Sequence, residues 1–277
     1  MLANAAQPKQ CPYCKSTDLE PIDSKFFVTT LFKCKHCNLN HRHPKDTSKW
    51  LDNFYQQEYE IDTAMMTDLP SDAEIAKLKS ENFNSLRDYS VYIDPVFNDS
   101  SIKVIDYGCS WGYNVFKLKN AGYDAVGFEV SRPRAKFGED KLDVTIFSNF
   151  DHAPSNMDLF FSSHVIEHLI DLPKFIQESK SHLTSDGIFM AFCPNGNLEY
   201  RQREPNIWHG SWGDIHVNLI DEAFAKHIFK DHPYLILTGD WSFDPKEIEA
   251  WDGMSQKIGE KKDGKELLII SKPNIKI

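Results

Sequence analysis

The sequence has 277 residues, enough for one full α/β domain and a smaller module beside it. Its net charge of −10, from 31 basic and 41 acidic side chains, argues against a general binder of nucleic acid. No run of residues approaches the roughly 20 consecutive apolar residues of a membrane span. The first residues, MLANAAQPKQ, lack the basic and apolar regions of a secretory signal, so we expect a cytoplasmic protein.

Four of the six cysteines form two close pairs near the start of the sequence. The pairs follow the pattern C-x2-C, nineteen residues, C-x2-C, which is the spacing of a zinc site. Four thiolates complete a tetrahedron and leave no open position, so such a metal is structural. The alternative, redox or disulfide cysteines, is disfavoured in a reducing cytoplasm. We therefore predict a zinc ribbon over residues 1–45, with the ligands Cys11, Cys14, Cys34 and Cys37.

Residues 46–100 are predicted to form a helical linker or lid. An aromatic, amphipathic stretch, KWLDNFYQQEYE, comes first. Ser71 and Glu74 have the spacing of a capping box, and apolar residues recur at helical spacing from there to about Ile93. The pattern predicts one helix from Ser71 to about Ile93.

From residue 101 onward the sequence alternates between strand and helix patterns. Seven runs predict strands: SIKVIDYG, YDAVGFEV, DVTIF, MDLFFSS, GIFMAFCP, YLILTG and KELLIISKP. Helical patterns separate most of these runs, at about 113–121, 132–140 and 171–183 and from Asp221. The order predicts an α/β fold over 101–277, a Rossmann-like, seven-stranded, mostly parallel sheet with helices on both faces. The irregular stretch 195–219 predicts an insertion on the substrate side.

A glycine loop follows the first of these strands. It reads Asp106-x-Gly108-x-x-x-Gly112, and its glycines let the backbone approach a ligand closely. Glu129 ends the second strand, where a carboxylate accepts hydrogen bonds from the two hydroxyls of a ribose. The loop lacks a glycine of the dinucleotide-binding pattern, and Asp106 suits a cationic amine or sulfonium better than a pyrophosphate. These features predict S-adenosylmethionine, rather than NAD, as the cofactor.

Several segments resemble known methyltransferases. DYGCSWG resembles the first motif of class I S-adenosylmethionine-dependent methyltransferases, and SSHVIEHLIDLPKFIQESKSHLTSDGIFMAFCPN resembles the fourth-to-fifth-strand segment of their UbiG-like subgroup. The region 26–59, with the second cysteine pair and FYQQEY, is similar to the zinc-ribbon leader of methyltransferases from surface-polysaccharide and secondary-metabolite gene clusters. The resemblance covers most of the chain except 60–95 and 240–262.

The resemblance implies roles for individual residues. Seven of them would line the cofactor: Asp106, Gly108 and Gly112 around its methionine part, Glu129 at the ribose, Asn149 and Phe150 beside the adenine, and Ser163 after the fourth strand. Two positions depart from the family pattern. Ser110 replaces the usual middle glycine, which would tighten the loop, and Asn149 stands where the family often has an aspartate, which removes a charge.

Methyl transfer from a sulfonium is an in-line displacement, in which a base helps when the acceptor is a hydroxyl. We predict His216 or His164 as that base, because His164 follows the fourth strand and the resemblance places a substrate-facing histidine in GDIHVNLID. The alternative for each is a capping or packing role. The run His164-x-x-Glu167-His168 with His216 is also similar to the metal-binding E-x-x-E-H pattern of small-RNA 2′-O-methyltransferases, with a histidine in place of the first glutamate.

The leading interpretation is a methyltransferase that acts on a hydroxyl of a sugar, glycan or related small molecule. N- or C-methylation of a sugar nucleotide is equally compatible with the motifs. An RNA methyltransferase is the first alternative, since residues 1–50 carry eight Lys and Arg against four Asp and Glu and would hold RNA. A non-catalytic binding module with a decayed cofactor site is the second, which the departures at Ser110 and Asn149 keep open.

Overall fold

The structure, a computed structural model, describes residues 8–59, 69–80, 87–97 and 101–277. Within these residues it has twelve strands: β1 (Leu19–Lys25), β2 (Thr29–Cys34), β3 (Asn40–His43), β4 (Lys103–Tyr107), β5 (Asp124–Phe128), β6 (Ile146–Phe147), β7 (Met157–Ser163), β8 (Leu183–Pro194), β9 (Asn218–Leu219), β10 (Tyr234–Gly239), β11 (Gln256–Ile258) and β12 (Glu266–Ser271). Ten α-helices accompany them: α1 (Ser48–Asn53), α2 (Asp72–Ser80), α3 (Ser90–Phe97), α4 (Tyr113–Asn120), α5 (Arg132–Leu142), α6 (Leu172–His182), α7 (Leu198–Arg203), α8 (Pro205–Gly210), α9 (Glu222–Ile228) and α10 (Pro245–Glu249). None of these helices is long and apolar enough to cross a membrane.

The large sheet has the strand order β11-β10-β12-β8-β7-β4-β5-β6. The strands from β8 to β6 run parallel, whereas β12 runs antiparallel to both of its neighbours. The chain moves from β4 outward through β5 and β6, then returns to add β7 on the other side of β4. The strand order therefore reverses beside β4, and a ligand crevice is expected outside the carboxyl ends of β4, β5 and β7.

The predicted α/β fold with a mostly parallel sheet is confirmed, but the predicted number of seven strands is wrong. The eighth strand, β11, has three residues and pairs in parallel with β10 at the sheet edge. Its sequence, QKI, has one apolar residue and no alternating pattern, because an edge strand of this length buries little side-chain surface.

The predicted single helix from Ser71 to about Ile93 is also wrong. Its start is correct, since the Ser71 hydroxyl accepts a hydrogen bond from the Glu74 amide (3.3 Å) and Glu74 accepts one from the Ser71 amide (2.8 Å). However, α2 ends at Ser80, residues 81–86 lie outside the described residues, and α3 begins anew at Ser90. The Asp88 carboxylate accepts a hydrogen bond from the Ser90 amide (3.0 Å), a local bond that favours a helix start there.

The N-terminal sheet consists of β1, β2, β3 and β9, so it takes one strand from the segment predicted as the substrate-side insertion. β9 pairs antiparallel with β3. Next to this contact, the Tyr13 ring packs edge-to-face on Phe224 of α9 (5.1 Å between ring centroids), and Lys33 Nζ lies 3.0 Å from Asp221 Oδ2. These contacts fasten the N-terminal sheet to the start of α9.

Two apolar cores lie on the two faces of the large sheet. α3, α4, α5 and α10 cover one face, and α6 and α9 cover the other. The second core also includes Cys11, Cys34 and Cys37, so the cysteine pairs pack against the body of the protein. Cys109 and Cys193, which match no ligand pattern, are buried as packing residues in the two cores.

Candidate cofactor and acceptor site

The loop between β4 and α4 has a left-handed backbone at three positions. Gly108 and Gly112 have φ angles of +82° and +78°, and Ser110 has a φ angle of +53°. A Cβ atom on Gly112 would meet Ile146 Cδ1 at 2.8 Å, so the loop lies tightly against the sheet. Ser110 thus keeps the conformation that a glycine would adopt most easily, and its hydroxyl accepts a hydrogen bond from Arg134 (2.9 Å).

Glu129 connects this loop to the end of β5. One of its carboxylate oxygens accepts a hydrogen bond from the Ser110 amide (2.9 Å), and the other accepts one from the Ser131 amide (2.7 Å). The side chain is buried, and this burial raises the pKa of Glu129. Each oxygen keeps a further lone pair, so the carboxylate is oriented and still able to accept bonds from a ligand.

Asp106 lies behind the loop, at the end of β4. Its side chain is buried and accepts a hydrogen bond from Asn114 Nδ2 (3.0 Å). Burial raises the pKa of Asp106 to about 7, and the nearby charge of Glu129 acts in the same direction. A cationic ligand beside this carboxyl would favour its ionised form.

A cavity of about 230 Å³ opens beside the loop, outside the carboxyl ends of β4 and β5. Gly108 and Glu129 line one end of it, and His164 and His168 line another part. Tyr55 and Tyr59, from a π-helical turn that follows α1, also line the cavity. The side-chain amide of Gln56 holds this turn against the segment after β5. Its Nε2 donates to the Val130 carbonyl (2.7 Å), and its Oε1 accepts a hydrogen bond from the Arg132 amide (3.3 Å).

The sequence predicts a linker or lid over residues 46–100, and within this segment Tyr55 and Tyr59 line the cavity. The FYQQEY stretch also belongs to the resemblance to the zinc-ribbon leader, but nothing in its local pattern indicates which surface it packs on. Its closing position depends on contacts such as that of Gln56 with residues more than 70 positions away.

The residues predicted at the adenine have other contacts. Asn149 Oδ1 accepts a hydrogen bond from the Asp151 amide (3.1 Å), and the Phe150 ring is buried against Tyr107, with 5.0 Å between ring centroids. Neither side chain is among the residues that line the cavity. Ser163 ends β7 and shares a hydrogen bond with Tyr89 (2.6 Å). The roles of these residues at the cofactor stay predictions.

His164 lies in a network of buried carboxylates. Its Nε2 is 2.9 Å from Glu266 Oε1 and its Nδ1 is 3.4 Å from Glu167 Oε1, so both ring nitrogens have carboxylate partners. Burial by itself would lower the pKa of His164, but the bonds to the two carboxylates outweigh burial and raise the pKa to about 9. Arg87 also donates a hydrogen bond to Glu266 (2.6 Å).

His216, the other predicted base, lies beside His168. The centroids of the two rings are 4.5 Å apart. Nδ1 of His216 is 3.0 Å from the Ser211 carbonyl oxygen, which can only accept, so Nδ1 carries a proton, and in the neutral ring Nε2 is the nitrogen with the lone pair. The structure therefore brings both predicted bases close to Glu167 and His168. His164 and His168 line the cavity, whereas His216 and Glu167 are not among its lining residues.

The four cysteines of the two C-x2-C pairs converge at the base of the N-terminal sheet. Their sulfur atoms lie within 4.8 Å of one another, and the Cys11–Cys37 and Cys14–Cys34 sulfur pairs are each 3.5 Å apart. Sulfurs at about 2.3 Å from a tetrahedral zinc ion are roughly 3.8 Å apart. The arrangement therefore fits one zinc ion held by four thiolates, and all six cysteines of the chain are free of disulfides.

Comparisons with known proteins agree with this fold. The family described as a methyltransferase domain matches residues 78–235, more than half of the chain. The magnesium protoporphyrin IX methyltransferase of Synechocystis PCC 6803, solved with bound S-adenosylhomocysteine, has a TM-score of 0.51 and 13% identity over 82% of this chain and 99% of its own. The plantazolicin methyltransferase BpumL, also solved with S-adenosylhomocysteine, has a TM-score of 0.51 and 12% identity over 80% of this chain and 93% of its own.

Other solved structures match smaller shares of their length. The chain spans about half of the O-methyltransferase from a trans-AT PKS multienzyme of Brevibacillus brevis, with 19% identity, 49% of this chain and 48% of that chain covered, and a TM-score of 0.38. No curated protein matches the chain. The domain match covers the glycine loop after β4, Glu129 and both predicted bases. The chain therefore belongs to the methyltransferase domain family.

Proposed function

We propose that this S-adenosylmethionine-dependent methyltransferase transfers its methyl group to a hydroxyl of a small molecule, of the sugar or glycan type, as in the UbiG-like subgroup with a zinc-ribbon leader. The observation that carries the proposal is the cavity, which has Gly108 and Glu129 on the proposed cofactor side and His164 and His168 on the proposed acceptor side. Such an arrangement places a donor and an acceptor next to each other for an in-line displacement.

For the cofactor, the proposed roles follow the positions of the side chains. Gly108 and Gly112 keep the loop open to the methionine part, and Asp106 supplies negative charge near the amine and the sulfonium. Glu129 accepts hydrogen bonds from the two ribose hydroxyls with the lone pairs that its backbone partners leave free. The roles proposed for Asn149, Phe150 and Ser163 rest on the family resemblance alone, because none of the three is among the residues that line the cavity.

For the acceptor, we favour His216 over His164 as the group that handles the hydroxyl proton. Both nitrogens of His164 are engaged by carboxylates, whereas Nε2 of His216 keeps a lone pair. The reaction balances simply. The acceptor oxygen takes the methyl group, its proton leaves to the base, and S-adenosylhomocysteine is released.

The two alternatives are less well supported by the contacts. An RNA grip on the N-terminal module needs accessible cations, and three of the eight basic side chains in residues 1–50 are engaged within the protein: Lys33 pairs with Asp221, Arg42 pairs with Asp46, and Lys25 donates to the Trp212 carbonyl. A decayed cofactor site is not favoured either, because Ser110 keeps the left-handed loop conformation and Glu129 remains oriented by two backbone amides.

In the N-terminal module, we propose a structural zinc ion on Cys11, Cys14, Cys34 and Cys37. The distances among the sulfurs support four-thiolate coordination, which leaves no open position for a substrate. The metal would stabilise a module whose own sheet is short and whose cysteines form part of a core shared with the body.

The test is a calorimetric titration of the protein with S-adenosylmethionine and S-adenosylhomocysteine. Glu129→Ala removes two charged hydrogen bonds to the ribose, each worth about 1.5 to 3 kcal/mol, so we expect the affinity to fall by about 100-fold or more. The matched control is Glu139→Ala, which removes an exposed carboxylate from α5 and should leave the affinity unchanged. Equal affinities for the wild type and Glu129→Ala, both folded by circular dichroism, would contradict the proposed ribose contact.

A further inference from the structure

The hairpin of β1 and β2 ends in three consecutive apolar residues, Phe26, Phe27 and Val28, which form the hairpin tip. The Phe27 side chain is fully exposed, and those of Phe26 and Val28 are 80% and 63% exposed. Single exposed apolar side chains are common on protein surfaces. Among the described residues, however, no other three exposed large apolar residues are consecutive in the chain. The hairpin therefore presents a continuous apolar end to its surroundings.

The backbone of the hairpin tip is unfavourable for phenylalanine. Phe26 and Phe27 have φ angles of +54° and +60°, and the Val28 amide donates to the Lys25 carbonyl (3.3 Å) across them. Turns with two left-handed residues favour Asn and Gly, because a bulky side chain crowds the backbone in this conformation. Folding of the hairpin thus gives no reason for two aromatic residues at its end. Strained residues of this kind motivate a functional hypothesis, here a surface that something else covers.

The base of the hairpin is fastened to the body of the protein. Asp23 Oδ2 accepts a hydrogen bond from Trp212 Nε1 (3.0 Å) and lies 2.7 Å from His209 Nδ1. Lys25 Nζ donates to the Trp212 carbonyl and lies 4.8 Å from the centroid of the Trp212 ring. The tip therefore projects from a fixed base, so little conformational freedom is lost when it is covered.

The charges around the hairpin tip favour an anionic surface. From Ser24 to Lys45 the sequence has five Lys and Arg and no Asp or Glu, although the whole chain has a net charge of −10. Lys25, next to the tip, keeps its charge because the Trp212 carbonyl that it contacts is neutral. The nearest carboxylate before the tip, that of Asp23, is only 17% exposed. An anionic surface would therefore meet a lysine rather than an exposed carboxylate at the tip.

The size of the hairpin tip distinguishes between kinds of partner. Its three side chains offer about 400 Å² of surface, whereas a stable protein interface covers about 800 Å² on each partner. Nucleic acid is held by aromatic rings together with a positively charged groove, but Lys25 is the one basic residue within four positions of the tip. A lipid bilayer requires no complementary shape, and a short apolar projection can enter it.

We propose that the hairpin tip inserts into a lipid bilayer that contains anionic lipids and docks the N-terminal sheet on the membrane surface. The rings of Phe26 and Phe27 enter the boundary between head groups and acyl chains, and the Lys25 ammonium stays at the level of the phosphates. Each phenylalanine side chain that leaves water raises the partition constant by about 10-fold or more.

The consequence of docking for methyl transfer rests on the proposed function. Trp212, which the base of the hairpin holds, lies in the same short segment as His216. In this segment the Gly213 amide donates to the His216 carbonyl (3.1 Å) and the His216 amide donates to the Gly213 carbonyl (2.7 Å). The hairpin and the proposed base thus belong to one connected unit, and docking would favour glycan acceptors that are carried on a lipid anchor.

The experiment is co-flotation of the zinc-loaded full chain with vesicles of phosphatidylcholine, with and without phosphatidylglycerol. The test variant is Phe26→Asn/Phe27→Gly, which introduces the residues that favour this turn. We expect its melting temperature to be unchanged or higher and its binding to the anionic vesicles to fall at least about 10-fold. The matched control is Met254→Ser, which removes a half-exposed apolar side chain between α10 and β11 and should bind as the wild type does.

Absence of vesicle binding by the wild type, or equal binding by the wild type and Phe26→Asn/Phe27→Gly, would overturn the proposal. Binding that disappears at high salt would also overturn it, because it would show adsorption by charge rather than apolar insertion. Single-stranded RNA is tested in parallel, and RNA binding that needs both phenylalanines, without vesicle binding, would assign the tip to nucleic acid instead. S-adenosylmethionine binding is measured separately: cofactor binding without vesicle binding would sink this inference alone, and vesicle binding without cofactor binding would sink the proposed function alone.

Discussion

Replacing Gly138 in the middle of α5 tests how the glycine loop after β4 is supported. In an isolated helix, Gly→Ala stabilises by up to about 1 kcal/mol, because alanine has the higher helix propensity. Here a Cβ atom on Gly138 would lie 2.6 Å from the Trp111 carbonyl oxygen and 2.7 Å from Ile146 Cδ1. Trp111 belongs to the loop between Gly108 and Gly112, so the added methyl group would press on the proposed cofactor site.

The gain in helix propensity stabilises the protein and the overpacking against Trp111 and Ile146 destabilises it, so the larger of the two free energies decides the outcome. Ile146 can turn its terminal methyl group away, but the Trp111 carbonyl is part of the backbone and must shift. Overpacking of this kind costs about 1 to 3 kcal/mol, which exceeds the helical gain of up to about 1 kcal/mol. We expect Gly138→Ala to destabilise the protein by up to about 2 kcal/mol, which lowers the melting temperature by several degrees, and to weaken S-adenosylmethionine binding.

The assay is thermal unfolding at one pH and one zinc concentration, with calorimetric titration of the cofactor. Gly210→Ala is the control, because this glycine is also helical, as the last residue of α8, but has no atom within 4 Å of an added Cβ, so the substitution should be neutral or slightly stabilising. A rise in melting temperature for Gly138→Ala that equals or exceeds that of Gly210→Ala would refute the argument, since it would mean that α5 and the loop have room for a methyl group.

Two further predictions concern pH and zinc. Burial raises the pKa of Asp106 to about 7, above the value of about 3.9 in an unfolded chain, so its stabilising protonated form is lost as the pH rises through this range. We expect the cofactor-free protein to lose stability between about pH 4 and 7 and Asp106→Asn to lose less; an identical pH profile of the two would contradict the raised pKa. Removal of zinc by a strong chelator should loosen β3 and thereby its partner β9, seen as faster amide hydrogen exchange at 217–219 than at 266–271. Unchanged exchange at 217–219 in zinc-free protein would show that β9 does not depend on the metal.

Much of the fold was predictable because its signals are local. Six strands each lie within a run of apolar and β-branched residues: β4, β5, β7, β8, β10 and β12. The glycine loop after β4 has its signal in its own residues, because Gly108 and Gly112 adopt the left-handed backbone that glycine favours. The spacing of the two C-x2-C pairs likewise predicts a four-thiolate cluster. The Ser71–Glu74 capping box marked the start of α2 correctly for the same reason.

Other features have no local signal. The short strand β11 and the close approach of Gly138 to Trp111 depend on which surfaces meet after the chain has folded. The histidines show the difference most clearly. The sequence identified His164 and His216 as candidate bases, but only the packing shows that carboxylates occupy both nitrogens of one, whereas Nε2 of the other keeps a lone pair.

By itself, therefore, the sequence determined the alternation of strands and helices, the loop and the acidic residue at the ends of β4 and β5, and the four-cysteine cluster. Tertiary structure decided that β9 joins the N-terminal sheet, that the turn after α1 covers the cavity, and that Glu167, His168 and His216 meet. The physical reason is the distance along the chain over which each interaction acts. Periodicity and turn chemistry act over a few residues, whereas burial of apolar faces and pairing of buried charges bring together segments that are far apart in the chain.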